Sequence, residues 1–318
     1  VQGTDQYGSN SAVHSTIPNV YGGYTAANYR TETVDNKVVD KAGVAEENTA
    51  TISGGNVTSV YGGVAKGDKG KARSNKAIVS GGTVTNVYGG AVDKSDAAAT
   101  LNTAQVSGGT VTGTIAGASA VYDTTPTATH MYSNANLVVL GKDNAARALP
   151  MDVALASIYG TDYRDATGAE LTFDGSAPEI FDNSPVTATT TEPERRSNTL
   201  QVTTTGVSAK KVRNFDSYIF TIGNNFKNDD TMLTLTEAGG FGRVSNAASN
   251  PAVKVDWTKV KADTSQLIDR RGEGIHGRNN FTLMQEAIPG AMNPNPSDFA
   301  FSNYTDTAGI AEIDRVYE

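Results

Sequence analysis

Histidine and cysteine, the residue types most often used for acid–base chemistry and metal binding near neutral pH, are scarce in this chain. The only histidines are His14, His130 and His276, and no two of them have the His-x-x-x-His spacing of a metal site. There is no cysteine, which excludes a disulfide framework, a thiolate metal ligand and a cysteine nucleophile. These counts predict no catalytic residue, no metal site and no cofactor.

One glycine-rich segment has the spacing of a dinucleotide-binding loop. Residues 272–277 read Gly-x-Gly-x-x-Gly, and Asp298 follows about 20 residues later. That motif works only between a buried strand and a helix. Here the preceding residues 269–271 are Asp-Arg-Arg, and Pro289 and Pro294 interrupt the path to Asp298. The segment is therefore expected to be a locally basic loop.

A repeat of 27 residues organises the first third of the chain. Ser-Gly-Gly at residues 53–55 recurs at 80–82 and at 107–109, and Val-Tyr-Gly-Gly at 60–63 recurs at 87–90. An earlier copy of the second motif stands at 20–23. Self-similarity at a fixed period of this length is typical of stacked repeat architectures.

Within each repeat, β-branched residues alternate with polar ones between glycine pairs, a pattern that predicts short strands. The predicted fold is all-β, a parallel β-helix or β-solenoid with 27-residue coils, whose strands pair about 4.8 Å apart with the coils above and below. The expected core columns are Ile52, Val57, Val79, Val84, Val106 and Val111. The glycines are expected at the coil corners, in backbone angles that other residues avoid: Gly54, Gly55, Gly62, Gly63, Gly81, Gly82, Gly89, Gly90, Gly108 and Gly109.

Tyr61 and Tyr88 occupy equivalent positions and are predicted to stack, with Ile115 as their counterpart in the next copy. Two interpretations stay open: an apolar stack that packs one corner, or an exposed aromatic strip that binds sugar rings. An aliphatic counterpart favours packing.

Charged residues also recur at repeat spacing. Lys66, Asp93 and Ala120 are expected to form one loop column, and Lys69, Asp96 and Asp123 another. Opposite charges one coil apart predict exposed ion pairs, which contribute little to stability. Two carboxylates are too few for Ca²⁺, which prefers six to eight oxygen ligands.

The repeats weaken towards the C-terminus, and four regions are predicted. Residues 1–182 form the solenoid, with clear coils at about 50–120, and 183–197 form a Pro- and Thr-rich loop. Residues 198–285 are β-rich, either a sandwich or further irregular coils, and 286–318 form an extended tail.

The overall charge and hydropathy exclude two classes of partner. The net charge of −8 argues against nucleic acid, whose binding depends on clustered Lys and Arg. No apolar run approaches the roughly 18 residues that a membrane helix needs, so no membrane span is expected.

The Ser-Gly-Gly-Thr-Val-Thr-Asn-Val-Tyr-Gly-Gly stretch at 80–90 resembles repeats in the passenger regions of bacterial autotransporter-type surface proteins. Residues 212–216 and 228–236 are similar to a segment found downstream of such repeats. The resemblance implies a right-handed parallel β-helix, export to the cell surface or the extracellular space, and a role that is often adhesive. The membrane β-barrel that ends such proteins has no counterpart in the sequence.

Two functional classes follow. The first is a non-catalytic extracellular bacterial surface protein, structural or adhesive, whose partners are further copies of itself and possible host or cell-surface glycans or proteins. Segment 1–16 or 300–318 would add a strand to a neighbour and so build a filament or layer. The second is a polysaccharide-active β-helix lyase or hydrolase. Three carboxylates in a groove, or a Lys/Arg–carboxylate cluster on adjacent coils, would favour the enzyme.

Overall fold

The structure is a computed structural model of the chain. It describes residues 16–26, 30–34, 37–41, 43–67, 69–94, 97–122, 133–142, 148–170, 198–223, 226–227, 229–242, 252–256, 282–287 and 300–301. Within these ranges every regular element is a β-strand and none is a helix. The prediction of an all-β chain is thereby confirmed.

The strands are numbered in chain order. Those of the N-terminal part are β1 (Thr16–Thr25), β2 (Arg30–Val34), β3 (Lys37–Lys41), β4 (Val44–Glu46), β5 (Thr49–Ala65), β6 (Lys71–Arg73), β7 (Lys76–Val92), β8 (Ala98–Thr100) and β9 (Thr103–Tyr122). Those that follow are β10 (Leu137–Leu140), β11 (Met151–Asp152), β12 (Ser157–Asp165), β13 (Thr199–Val202), β14 (Val207–Ala209), β15 (Lys211–Arg213), β16 (Ser217–Thr221), β17 (Thr231–Leu235), β18 (Phe241–Gly242), β19 (Ala252–Asp256), β20 (Thr282–Glu286) and β21 (Ala300–Phe301).

Most of these strands pair in parallel. The largest sheet has the order β1-β5-β7-β9-β10-β13-β16-β19-β21, and β11, β12, β15 and β18 join it to the side. Two smaller parallel sheets are β4-β6-β8 and β14-β17-β20. The described antiparallel contacts are the β2–β3 pair and one bridge between Arg164 and Glu170.

The 27-residue spacing is the pairing register of the long strands. Val57 pairs with Val84, and Val84 pairs with Val111. Ile52, Val79 and Val106 form a second set of successive partners. Every one of these six side chains is buried, whereas Thr51, in the neighbouring column, is exposed. Side chains alternate across a strand, so the same column is buried in each repeat.

The parallel pairing continues beyond the clear repeats. β10 pairs with β9 on one side and with β13 on the other, and β13 pairs with β16. The two alternatives for residues 198–285 differ in strand direction, because a sandwich is built from antiparallel strands. The described strands of this region pair in parallel with those before them, and the core includes Leu200, Phe215 and Tyr218.

The register changes by one residue between β7 and β9, and this corrects two predicted columns. Asn86 pairs with Thr114, so Ile115 lies opposite Val87 and not opposite Tyr88. The partner of Tyr88 is Ala116, and Ala120 pairs with Val92 and not with Asp93. The cause is one extra residue in β9, where the pairing shifts after Val84. Such a bulge leaves one residue unpaired and displaces all that follow.

The glycine pairs also differ from the prediction. They lie inside β5, β7 and β9, which continue through both motifs. Only Gly55, Gly82 and Gly109 of the ten have a positive φ, at 82°, 82° and 77°. The other seven glycines have backbone angles that do not require glycine. At Gly63 and Gly90 the reason for glycine is space, because a Cβ there would overlap the side chains of Asn75 and Asn102.

Candidate functional site

A row of tyrosines runs along the outer side of the largest sheet. Tyr21 of β1, Tyr61 of β5 and Tyr88 of β7 are successive strand partners. The Tyr21 and Tyr61 ring centres are 5.2 Å apart and those of Tyr61 and Tyr88 are 5.1 Å apart, with interplanar angles of 14° and 18°. Offset stacking at such distances stabilises aromatic pairs beyond the area that they bury.

The row becomes more buried away from β1. Tyr21 is 41% exposed, whereas Tyr61 and Tyr88 are half-buried. Burial raises the pKa of the Tyr61 hydroxyl, against a hydrogen bond with Ser59, and raises that of Tyr88 more strongly. Ala116 then interrupts the row, and Tyr159 of β12 follows as the partner of Ala116. The rings therefore pack against one another, and the β1 end is the most exposed part of the described row.

The β1 end combines exposed aromatic rings with a strand edge. Tyr24 is 52% exposed and meets Tyr21 edge to face, with centroids 5.3 Å apart. Among the described residues β1 pairs with β5 alone and is the terminal strand of its sheet. An edge strand offers unpaired N–H and C=O groups to any further strand. We call this end, formed by β1 with Tyr21 and Tyr24, the β1 edge.

A buried ion pair lies next to the interrupted part of the tyrosine row. Arg164 Nε is 2.8 Å from Asp162 Oδ1, and the Asp162 side chain is 1% exposed. Burial raises the pKa of Asp162, while the Arg164 guanidinium acts in the opposite direction. The buried carboxylate pairs with a partly exposed guanidinium, which compensates part of the free-energy cost of removing the carboxylate from water.

A second ion pair joins β15 to the residues after β12. Lys211 Nζ is 2.6 Å from Glu170 Oε2 and 5.5 Å from the centre of the Tyr159 ring. Burial acts against both charges, but their hydrogen bond holds the pKa of Glu170 below and that of Lys211 above the usual value.

These four residues form the kind of basic–acidic cluster on neighbouring strands that the enzyme interpretation requires. Asp162, Arg164 and Glu170 come from one pass of the chain, and Lys211 comes from the next. Asp162 is closed to solvent. The arrangement joins two passes of the chain, and each of its carboxylates is paired with a cation.

The predicted loop pairs are described in part. Lys66 Nζ is 3.3 Å from Asp93 Oδ2, and both side chains are substantially exposed, at 42% and 31%. An exposed pair of this kind contributes about 0–1 kcal/mol. Asp96 and Asp123 lie outside the described residues.

A row of asparagines runs through the interior, and the glycine, valine and tyrosine motifs of the sequence do not reveal it. Its members stand immediately before β5, β7, β9, β10 and β13 and are Asn48, Asn75, Asn102, Asn136 and Asn198. Asn102 Oδ1 accepts from Asn75 N and Nδ2, each at 3.1 Å, and Asn136 Oδ1 accepts from Asn102 N and Nδ2, at 3.0 and 3.2 Å. The side chains are buried from Asn75 onward, so these bonds satisfy groups that water does not reach.

The buried asparagines of the row also bind a second segment of the chain. Asn75 Nδ2 donates to Ala45 O at 2.7 Å, and Asn102 Nδ2 donates to Ala72 O at 2.9 Å. These carbonyls belong to β4 and β6, so the row ties the small sheet to the starts of the long strands. The 27-residue spacing of Asn48, Asn75 and Asn102 was the available sequence signal.

Several residues that the sequence analysis considered for their type or spacing lie outside the described part of the chain. His14, His130, His276 and the glycine-rich segment 272–277 lie outside the described residues, as do segments 1–15 and 302–318. Within the described ranges, no three His, Asp or Glu side chains are grouped as a metal site would require. The same ranges hold no helix with the length and apolarity needed to cross a membrane.

Comparison of the chain with protein-family models, with curated proteins and with solved structures finds no match. Function is therefore inferred from the geometry of the β1 edge, the tyrosine row and the asparagine row.

Proposed function

We propose that the chain is a β-solenoid and serves as a non-catalytic, extracellular structural or adhesive protein of the bacterial cell surface. The observation that carries this proposal is the pairing of like with like: Val57, Val84 and Val111 are partners in successive repeats, as are Asn75 and Asn102 in the interior row. Equivalent side chains that pack against one another from repeat to repeat favour a structural role over a catalytic one. The resemblance of residues 80–90 to autotransporter passenger repeats supports the same proposal.

Self-assembly by strand addition is the second part of the proposal. Among the described strands β1 has a partner on one side only, and its other side, with the two exposed tyrosines Tyr21 and Tyr24, could receive a strand from a further copy of the chain. A strand from a neighbour would extend the sheet, and an aromatic residue on it would extend the tyrosine row. The candidate donor segments, 1–16 and 300–318, fall almost entirely outside the described residues.

Self-assembly can be tested by sedimentation of the purified chain at several concentrations, combined with negative-stain electron microscopy. The proposal expects filaments or layers that grow with concentration. Replacing Tyr21 and Tyr24 with lysine should prevent assembly, because charge at an edge strand opposes pairing with another strand. The matched control is Thr85→Lys, which places the same charge at an exposed position within the paired strand β7.

A chain that stays monomeric at all concentrations would contradict the assembly proposal. If assembly occurs, deletion of residues 1–12 identifies the donor segment: loss of the assemblies assigns it to the N-terminus, and unchanged assemblies leave the C-terminal segment as the donor.

A polysaccharide-active enzyme is the second candidate, favoured by the cluster of Asp162, Arg164, Glu170 and Lys211. Its test is release of reducing ends or unsaturated products from neutral and acidic polysaccharides. Activity in the natural chain that is lost in Asp162→Asn, with the native fold retained, would establish this alternative.

A further inference from the structure

Asp216 occupies the last described position of the asparagine row. It stands immediately before β16, as Asn198 stands before β13, and β13 and β16 pair in register. Asp216 Oδ2 accepts a hydrogen bond from Asn198 N at 2.9 Å. The equivalent bond one step earlier runs from Asn136 N to Asn198 Oδ1, at 3.0 Å. Asp216 therefore takes the acceptor role of an asparagine.

The carboxyl group does not reproduce the donor role. Asn102 and Asn136 use Nδ2 to reach the backbone carbonyls of Ala72 and Ala99, and an ionised aspartate has no donor to offer. Asp216 Oδ1 is buried and has no hydrogen-bond partner. A buried acceptor without a partner costs free energy, and it costs more when it carries charge.

Among the described residues, the surroundings of this carboxyl contain little compensating charge. The neighbouring strand β13 carries no titratable residue, and on β15 Lys211 is paired with Glu170 while Arg213 Nη2 donates to Gly239 O at 2.9 Å. On β16 the nearby titratable group is Tyr218, which is buried. The charged residues of β19, Lys254 and Asp256, lie opposite Ile219 and Thr221, further along β16.

Burial raises the pKa of Asp216 from 3.8 to about 7, although the hydrogen bond from Asn198 N acts in the opposite direction. The neutral carboxyl is therefore the form that suits this position, because a protonated oxygen is not a buried charge.

We propose that Asp216 is a pH-sensitive junction, at which ionisation of the carboxyl weakens the attachment of β16 to β13, and of the strands that follow β16 to their partners β14 and β15. The stack is closed at acidic pH. As pH rises, the strands from β16 onward open locally from a repeat array whose N-terminal strands remain paired. Repeat arrays permit such local opening, since each repeat contacts only its neighbours. This inference concerns the stability of one junction and does not depend on the proposed surface function.

The direction of the pH effect follows from the difference between the pKa of Asp216 in the folded chain and in the opened state. In the folded chain the group holds its proton up to about pH 7, whereas in the opened state it releases the proton near 3.8. Its stabilising contribution is therefore complete below about pH 4 and is lost as pH rises to about 7. Across that window the equilibrium constant for opening rises by up to about tenfold per pH unit, and above it this group adds no further change.

The test is hydrogen exchange of the β13, β16 and β17 amides in the full chain between pH 5 and pH 8, compared at each pH with Asp216→Asn. The comparison at equal pH removes the intrinsic pH dependence of exchange. The ratio of exchange rates, natural chain over variant, should rise by up to about tenfold per pH unit to about pH 7 and then level off. Asp152→Asn, at an exposed position of β11, is the control and should follow the natural chain.

A carboxyl ¹³C titration of the natural chain supplies a second readout that needs no folded variant. An apparent midpoint near 7 for Asp216 supports the junction, and a midpoint near 4 overturns it. A ratio of exchange rates that stays constant from pH 5 to pH 8 also overturns it.

Discussion

Asn75 and Asn102 lie one repeat apart, and the side-chain oxygen of Asn102 accepts from both the backbone nitrogen and the side-chain nitrogen of Asn75, each at 3.1 Å. One oxygen thus satisfies two donors of the preceding repeat, while the Asn102 amide satisfies Ala72 O. The stack is held by directional bonds in its interior as well as by apolar columns.

Asn102→Ala should reduce the free energy of unfolding by about 2–4 kcal/mol. The substitution leaves several buried donors and acceptors without partners, and each such group costs about 1–3 kcal/mol, partly relieved by relaxation. Urea denaturation followed by circular dichroism measures the loss. Asn56→Ala, at a half-buried position of β5, is the control and should cost under about 1 kcal/mol. Equal losses in the two variants would contradict a special role for the row.

Gly90→Ala should destabilise the chain although residue 90 has an ordinary backbone conformation. The new Cβ would overlap the Asn102 side chain, which its hydrogen bonds hold in place, and overpacking of this kind costs about 1–3 kcal/mol. The control is Gly54→Ala, because a Cβ at residue 54 meets no atom within 4 Å. It should change stability by less than about 0.5 kcal/mol. A harmless Gly90→Ala would show that the close approach is absent.

Val84→Asp should prevent folding of the repeat region. Val84 is fully buried between Val57 and Val111, and an unpaired carboxylate in that place cannot be solvated. Thr85→Asp places the same charge on the next residue, which is exposed, and should leave the fold and stability nearly unchanged. Loss of the β-sheet circular dichroism signal is the measurement. A folded Val84→Asp together with an unfolded Thr85→Asp would mean that the faces are reversed.

Arg164→Met should destabilise the chain by about 3 kcal/mol at pH 8, because it leaves the Asp162 carboxylate buried without its cation. The loss should shrink at pH 5, since the buried carboxyl already has a raised pKa and takes up a proton more readily without Arg164. Urea denaturation at the two pH values tests this. The double variant with Asp162→Asn should recover part of the stability at pH 8; no recovery would assign the loss to packing of the arginine.

The 27-residue period of the sequence predicts which residues of neighbouring repeats are strand partners. Partners 27 residues apart follow from the repeat wherever no residue is inserted, as at Val57 and Val84. After the extra residue in β9 the partners are 28 residues apart, so the 27-residue period mispredicts them: Ala116, and not Ile115, lies opposite Tyr88. The sequence signal for that bulge is Gly113, which lies between the paired residues Val111 and Thr114, because an isolated glycine within a strand often marks a bulge.

The interior site was harder to predict for a different reason. Asn48, Asn75 and Asn102 recur at the repeat spacing, yet asparagine before a strand is also the usual turn signal, and the sequence does not say on which side of the chain its side chain lies. Asp162, Arg164 and Lys211 come from passes of unequal length, so no period connects them. Their proximity follows from the fold alone.

Disulfide formation between engineered cysteines tests the 27-residue strand register most directly, because the natural sequence has no cysteine. Asn56 and Thr83 are strand partners one repeat apart, and paired strands lie about 4.8 Å apart, within disulfide range. Asn56→Cys with Thr83→Cys should therefore cross-link on mild oxidation, as read by mass spectrometry. Asn56→Cys with Thr85→Cys, two residues out of register, should not. Cross-linking of the second pair in place of the first would contradict the pairing of β5 with β7 at a spacing of 27 residues.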